Sequence, residues 1–280
     1  MIASVLYAFS FEGSGGNPAG VVLDAEKISD SERQRIAMEL GFSETAFVEK
    51  SHNADFNIRF FTPIDEVDFC GHAIVAVYSL MFQKGILTEG IYTHELQGGI
   101  FGVEVRGDGM IFMEQSLPLY ESVSHEAVMR CIDNARINPA LDPEIVSTGL
   151  RDIFVPILSR QELDSLKVDD DVLIALNTET ATIGLHAFAL ESEDSPIVAY
   201  ARNFAPLYGI PEESATGSSS GALACYLFKN GKLKERNLSL LEFRQGCVMG
   251  SPSQIFVSLE TDGSEIVRVR VGGKAYLKVG

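Results

Sequence analysis

The 280-residue chain is 46% hydrophobic and 22% charged, enough apolar content for a core divided between two domains of about 100 to 150 residues. Its 22 basic and 39 acidic residues leave a formal net charge of −17 with no basic cluster, which argues against a nucleic-acid partner or an anionic membrane surface. No apolar run reaches the roughly 20 residues of a membrane span, residues 1–11 lack the basic-then-apolar pattern of a leader, and Cys70, Cys131, Cys225 and Cys247 form no C-x-x-C pair; a soluble cytoplasmic protein with reduced thiols is expected.

Residues 2–9 and 19–23 read as strands, with Gly13-Ser14-Gly15-Gly16-Asn17-Pro18 as the loop between them. A strand rather than a helix follows these glycines, so the loop reads as a turn and not a phosphate cradle, with Asn17 and Pro18 as pocket wall. Ser29-Asp30-Ser31-Glu32 is a capping box, in which Ser29 accepts from the Glu32 amide while Glu32 reaches back. The helix it opens is marked by Ile36, Met38 and Leu40 and is ended by Gly41 in a left-handed conformation. A strand over 42–48 follows and carries Glu44 among Phe42, Ala46 and Phe47. Such a carboxylate either points to water at a strand edge or faces inward, where partial desolvation suits it to proton transfer; position alone leaves both readings open.

Beyond Arg59-Phe60-Phe61-Thr62-Pro63, the stretch Asp68-Phe69-Cys70-Gly71-His72 leads into residues 73–82, which are apolar nearly all round. A helix of that kind is buried on every side. Its start, near Gly71 and His72, then carries unpaired backbone N–H groups and a partial positive charge into the interior, an arrangement suited to an anionic ligand. Residues 91–113 read as strands with turns at Gly98-Gly99 and Gly107-Asp108-Gly109, and the pattern changes near Pro118.

The second half repeats the first. Gly41 and Phe61 lie 20 positions apart, as do Gly184 and Phe204, and Arg59-x-Phe61-x-Pro63 matches Arg202-x-Phe204-x-Pro206. Gly71 to Gly85 and Gly217 to Gly231 are both 14 positions, and a strand over 153–158 with a capping box at Ser159-Arg160-Gln161-Glu162 keeps the order. Pro63 to Gly71 is 8 positions but Pro206 to Gly217 is 11, so an insertion of three precedes the second helix, and Pro211-Glu212-Glu213-Ser214 falls in it. The spacing predicts a duplicated domain, 1–116 with a returning strand at 272–280, and 117–271, with a ligand cleft between the halves. Glu44 aligns with Ala187 and His72 with Ser218, and polar residues present in one copy of a symmetric frame are candidates for chemistry.

Four motifs stand in the order of one known family: Gly16-Asn17-Pro18-Ala19-Gly20, Ser43-Glu44-Thr45-Ala46-Phe47, the run from Arg59-Phe60-Phe61-Thr62-Pro63 to Val67-Asp68-Phe69-Cys70-Gly71-His72-Ala73, and Glu213-Ser214-Ala215-Thr216-Gly217-Ser218. Over nearly its whole length the chain resembles the PhzF-like, or phenazine biosynthesis-like, isomerases. The resemblance implies the α+β diaminopimelate epimerase-like fold: a duplicated domain, each half a mostly antiparallel barrel-like sheet around a central buried helix. It also implies a cofactor-independent isomerase, often a homodimer, in which a glutamate moves a proton on a small unsaturated carboxylic acid. Glu44 takes the place of that acid/base, His72 of the pocket histidine and Ser218 of the pocket serine, with Asn17, Gly71 and Gly217 in the substrate-binding set. Glu213 stands where the family usually has aspartate, and Ser214 where it has proline.

Cys70 occupies a position where the phenazine enzymes tend to have alanine. Related epimerases and racemases use one cysteine from each half; Cys70 fits the first place and Ser214 the second, and a serine there is a poor base. A racemase, epimerase or dehydratase of an amino or hydroxy acid using Cys70 is therefore the alternative enzyme, and a small-acid binding protein the alternative without chemistry. The remaining histidines, His52, His94, His125 and His186, have no ligand spacing, so no metal is expected.

Overall fold

Short β-branched and aromatic runs punctuated by glycine make strand the commonest regular element, and the computed structural model describes residues 3–277; Ile2 of the first expected strand and residues 278–280 of the last lie outside the described residues. Contacts divide the chain into two units, Met1–Glu114 with Gly272–Gly280, and Gln115–Val271.

The first unit runs β1 (Ser4–Ala8), β2 (Asn17–Val22), α1 (Asp30–Leu40), β3 (Thr45–Glu49), β4 (Phe56–Phe61), β5 (Glu66–Val67), α2 (Gly71–Gln83), β6 (Gly90–Leu96), β7 (Gly99–Val105) and β8 (Ile111–Gln115), with residues Ala275–Leu277 returning to it. The returning strand pairs with β1, and successive pairs β1–β2, β2–β3, β3–β4, β4–β6, β6–β7 and β7–β8 continue the sheet; only β2–β3 and β4–β6 are parallel. Helix α2 packs on β1, β2, β3 and the returning strand, and every residue from His72 to Met81 is buried. Its lack of a polar face follows directly from that placement.

Three local expectations need correction. Strand β2 begins at Asn17, so Asn17 and Pro18 pair with Ala8 and Tyr7 rather than forming loop. The turn before it still needs Gly16, whose φ is +83° and where a Cβ would sit 2.5 Å from the Ala8 carbonyl oxygen. In α1 the buried positions are Arg33 and Ala37, while Met38 is exposed, because residues 36, 38 and 40 do not share one helical face. Arg33 is tolerated inside since its guanidinium donates to the Ile28 and Ala25 carbonyls and pairs with Glu49. Finally, Ser29 does cap α1 by accepting from the Glu32 amide, and Gly41 ends it at φ +66°, but the Glu32 carboxylate binds Arg35 instead of reaching back.

The second unit runs β9 (Leu119–Ser122), α3 (His125–Cys131), β10 (Ile132–Asp133), β11 (Glu144–Ser147), β12 (Arg151–Pro156), α4 (Arg160–Ser165), β13 (Lys167–Val168), α5 (Asp170–Thr180), β14 (Gly184–Leu190), β15 (Ile197–Ala205), β16 (Ile210–Glu213), α6 (Gly217–Lys229), β17 (Leu241–Gln245), β18 (Ser253–Asp262) and β19 (Glu265–Gly273), ahead of β20 (Ala275–Leu277). Its pairings β11–β12, β12–β14, β14–β15, β15–β16, β15–β17 and β17–β18 follow the first unit's β1–β2, β2–β3, β3–β4, β4–β5, β4–β6 and β6–β7, with β12–β14 and β15–β17 parallel as β2–β3 and β4–β6 are. Helix α6 has the same length as α2, 13 residues, and packs on β11 and β18, with Ser219 to Leu227 buried. The fold is thus α+β and duplicated. The cap at Ser159 opens only the six-residue α4, and the 11-residue counterpart of α1 is α5, capped by Asp169. Among the described residues, no helix is long and apolar enough to cross a membrane.

The repeat also relocates the insertion. Arg202 holds Glu212 through two 2.8 Å bonds as Arg59 holds Glu66 through two 2.7 Å bonds, and each guanidinium lies over a phenylalanine, Phe204 or Phe61. Glu212 and Glu213 therefore belong to β16, paired with β15, and the three extra residues fall between Pro206 and Glu212, where the chain makes the 3-10 turn Pro206–Tyr208 followed by Gly209. On this register the counterpart of Cys70 is Thr216, not Ser214; each is the N-cap of its unit's buried helix.

Candidate active site

Glu44 directly precedes β3 rather than lying within a strand, and its carbonyl accepts from the Gly20 amide at 3.2 Å. That approach needs glycine, because a Cβ at position 20 would lie 2.7 Å from Thr45 Oγ1 and 2.8 Å from Leu40 Cδ1. So anchored, Glu44 places Oε2 3.3 Å from His72 Nε2. This oxygen is buried and has no hydrogen-bond partner.

His72 is the second residue of α2 and is 7% exposed. Its ring donates to the Pro18 carbonyl and lies 3.5 Å from Ser43 Oγ through Nε2. Burial holds the imidazole below its ordinary value, opposed by the Glu44 charge and the Pro18 bond. At neutral pH the ring is therefore neutral. Cys70, also buried, has Sγ 3.3 Å from His72 Nδ1 and 3.9 Å from Nε2. Carboxylate, thiol and imidazole thus converge, each offering one ligand atom within 4.8 Å of the others. Sequence spacing hid this cluster, because Glu44 and the Cys70-His72 pair come from different elements. Asn17 is buried on β2 beside Pro18, and Gly71 sits between Cys70 and His72 at the start of α2.

In the second unit, Glu213, Gly217 and Ser218 are gathered by sequence around the start of α6. Thr216 Oγ1 donates to Glu213 Oε2. Gln245, fully buried at the end of β17, fastens this turn: its Nε2 donates to the Glu213 carbonyl at 2.7 Å and to Thr216 Oγ1, and its Oε1 accepts from the Thr216 amide. Behind the same turn, buried Asp152 accepts from Ser219 Oγ, and burial raises its carboxyl above the ordinary range. Gln245 and Asp152 lie far from α6 in sequence and carried no local signal. Neither N-cap side chain, Cys70 nor Thr216, makes a capping bond, which leaves the first-turn amides of both helices without a side-chain acceptor at that position. A groove of about 380 Å³ between α3 and α5, with Arg130 and Asp171 on its walls, contains none of these residues.

Comparison with known proteins places the chain in a family. The family described as "Phenazine biosynthesis-like protein" matches residues 6–279. An uncharacterized isomerase of Clostridium acetobutylicum is 36% identical, over 96% of this chain and 93% of its own. A trans-2,3-dihydro-3-hydroxyanthranilate isomerase of Pseudomonas fluorescens is 31% identical, over 96% and 94%. The crystal structure of a Bacillus anthracis phenazine biosynthesis protein of the PhzF family superposes with a TM-score of 0.85 at 27% identity, covering 98% of this chain and 96% of that one. A hydroxyproline epimerase from Agrobacterium vitis shares the fold alone, with a TM-score of 0.61 at 11% identity over 99% and 90%. From its first strand to its last, the chain is a member of the phenazine biosynthesis-like PhzC-PhzF family.

Proposed function

We propose that the protein is a cofactor-independent isomerase that moves a proton between two carbons of a small unsaturated carboxylic acid, with Glu44 carrying the proton. The observation that bears most weight is Glu44 Oε2, a buried carboxylate oxygen with no hydrogen-bond partner, held beside a neutral imidazole. A carboxylate oxygen left unpaired within the fold is open to a substrate proton. Family membership and the isomerase names of its relatives support the reaction class.

In this reading Glu44 takes a proton from one carbon and returns it to another on the same face, so no net proton is gained or lost. His72 orients the substrate as a neutral donor or acceptor. The amides at Gly71 stabilise negative charge on the substrate's carboxylate or enolate-like oxygen. Asn17, Glu213, Gly217 and Ser218 are assigned to substrate binding, and the protein to a homodimer, on the family resemblance. Sedimentation equilibrium tests the dimer.

Cys70 supports a second reading, since its sulfur lies within reach of His72 Nδ1 as in an activated thiol. The hydroxyl of Thr216 in the matching place of the other unit weakens a two-base racemase. Solvent deuterium exchange separates the readings. With a panel of small unsaturated acids, including trans-2,3-dihydro-3-hydroxyanthranilate, wild type is expected to incorporate deuterium at carbon. Exchange lost in Glu44→Gln and kept in Cys70→Ala supports the isomerase. The reverse pattern supports the thiol enzyme, and tight binding without exchange by wild type supports a binding protein.

A further inference from the structure

We propose that Glu44, Cys70 and His72 form a site for a thiophilic divalent cation of the zinc class, and that an ion held there blocks the proton transfer. The second half of this statement rests on the isomerase reading above; the first does not. The three side chains supply a carboxylate oxygen, a sulfur and an imidazole nitrogen, a donor set that zinc accepts in tetrahedral geometry. Ligand bonds of about 2.0–2.3 Å at tetrahedral angles put nitrogen and oxygen roughly 3.3 Å apart, and sulfur and nitrogen roughly 3.6 Å apart. The spacings here are 3.3 Å from Nε2 to Glu44 Oε2 and 3.9 Å from Nε2 to Cys70 Sγ. The third spacing, from the Glu44 oxygen to the Cys70 sulfur, is within 4.8 Å.

Three further observations favour an ion over a merely packed cluster. Glu44 Oε2 is buried with no hydrogen-bond partner, so coordination would satisfy an atom that the fold leaves open. The His72 ring is already held in place by its bond to the Pro18 carbonyl, so little ordering is left for an ion to impose. Thiolate and carboxylate together would balance a 2+ charge, so a bound ion leaves no net charge in a site where Cys70 and His72 are 5% and 7% exposed. On binding, the Cys70 thiol releases its proton to solvent, and no electron is transferred. With three protein ligands, one position remains for water or a substrate oxygen. An ion bonded to Glu44 occupies the oxygen that would accept the substrate proton.

Cobalt(II), a spectroscopic stand-in for zinc, tests the site on the intact chain. Wild type is expected to show a near-ultraviolet sulfur-to-cobalt charge-transfer band that saturates at one equivalent and is displaced by zinc. Cys70→Ser and Cys70→Ala should abolish the band, Cys247→Ser should keep it, and Glu44→Gln should weaken cobalt binding by at least about tenfold. Circular dichroism establishes that each variant is folded. Zinc should suppress deuterium exchange in step with occupancy, and a chelator should restore it. No band in wild type, or a band that survives in folded Cys70→Ala, overturns the site. A band with unimpaired exchange at full occupancy overturns the block. If wild type shows no exchange even without metal, the isomerase reading has failed while the cobalt arm still decides the site.

Discussion

Replacing Glu44 by glutamine gives the sharpest test, because it changes the acid/base and almost nothing else. The amide has nearly the volume of the carboxyl, and Oε2 has no hydrogen bond to lose. His72 Nε2, 3.3 Å away, remains within reach of the new amide. Unfolding free energy should therefore shift by no more than about 1 kcal/mol. Catalysis should respond differently. A positioned general acid or base contributes about 10²- to 10⁴-fold, which at about 1.4 kcal/mol per tenfold corresponds to roughly 3 to 5 kcal/mol of barrier. Deuterium incorporation into the substrate carbon, followed by NMR in heavy water, should slow by that factor while the urea midpoint stays in place. A folded Glu44→Gln protein that exchanges at more than about a tenth of the wild-type rate would refute Glu44 as the proton carrier.

Cys70→Ala should keep deuterium exchange within about tenfold of wild type, because a small buried thiol contributes packing rather than the proton; a loss beyond about 100-fold would move the chemistry to the thiol. Stability should fall in acid. His94 and His186 are buried and burial lowers both to about 4 from an ordinary 6.5, so the unfolded chain binds these protons before the folded one does. Each stabilising contribution is full above about pH 6.5 and is lost as pH falls toward 4, by up to roughly 3 kcal/mol per histidine. Urea midpoints from pH 7 to 4.5 should show this slope, and His186→Gln should reduce it. Gln245→Ala removes three bonds that hold Glu213 and Thr216, and should raise KM several-fold with a stability loss of about 1–3 kcal/mol, read by steady-state kinetics and urea titration. Gly20→Ala should destabilise by about 1–3 kcal/mol and lower exchange, since its Cβ would press on Thr45 and Leu40 next to Glu44; an unchanged melting temperature would contradict that packing.

Much of this protein is determined locally. The apolar runs after Gly71 and Gly217 specify two helices buried on all sides, because no polar stripe exists to face water, and the matched spacings specify two copies of one unit. The motifs around Glu44, His72 and Gly217 are equally legible as strings. Other features depend on which distant segments meet. Two capping boxes formed only their serine half, since Arg35 and Arg136 compete for Glu32 and Glu162. The place of the insertion is set by the tertiary structure, in which Arg202 holds Glu212 as Arg59 holds Glu66. Gln245 and Asp152 reach the start of α6 through strand register, which no local pattern encodes. The convergence of Glu44, Cys70 and His72 is of the same kind. Sequence chose the three side chains, but the Gly20 to Glu44 contact and the burial of α2 against β2 and β3 place a carboxylate, a thiol and an imidazole within bonding reach of a common point.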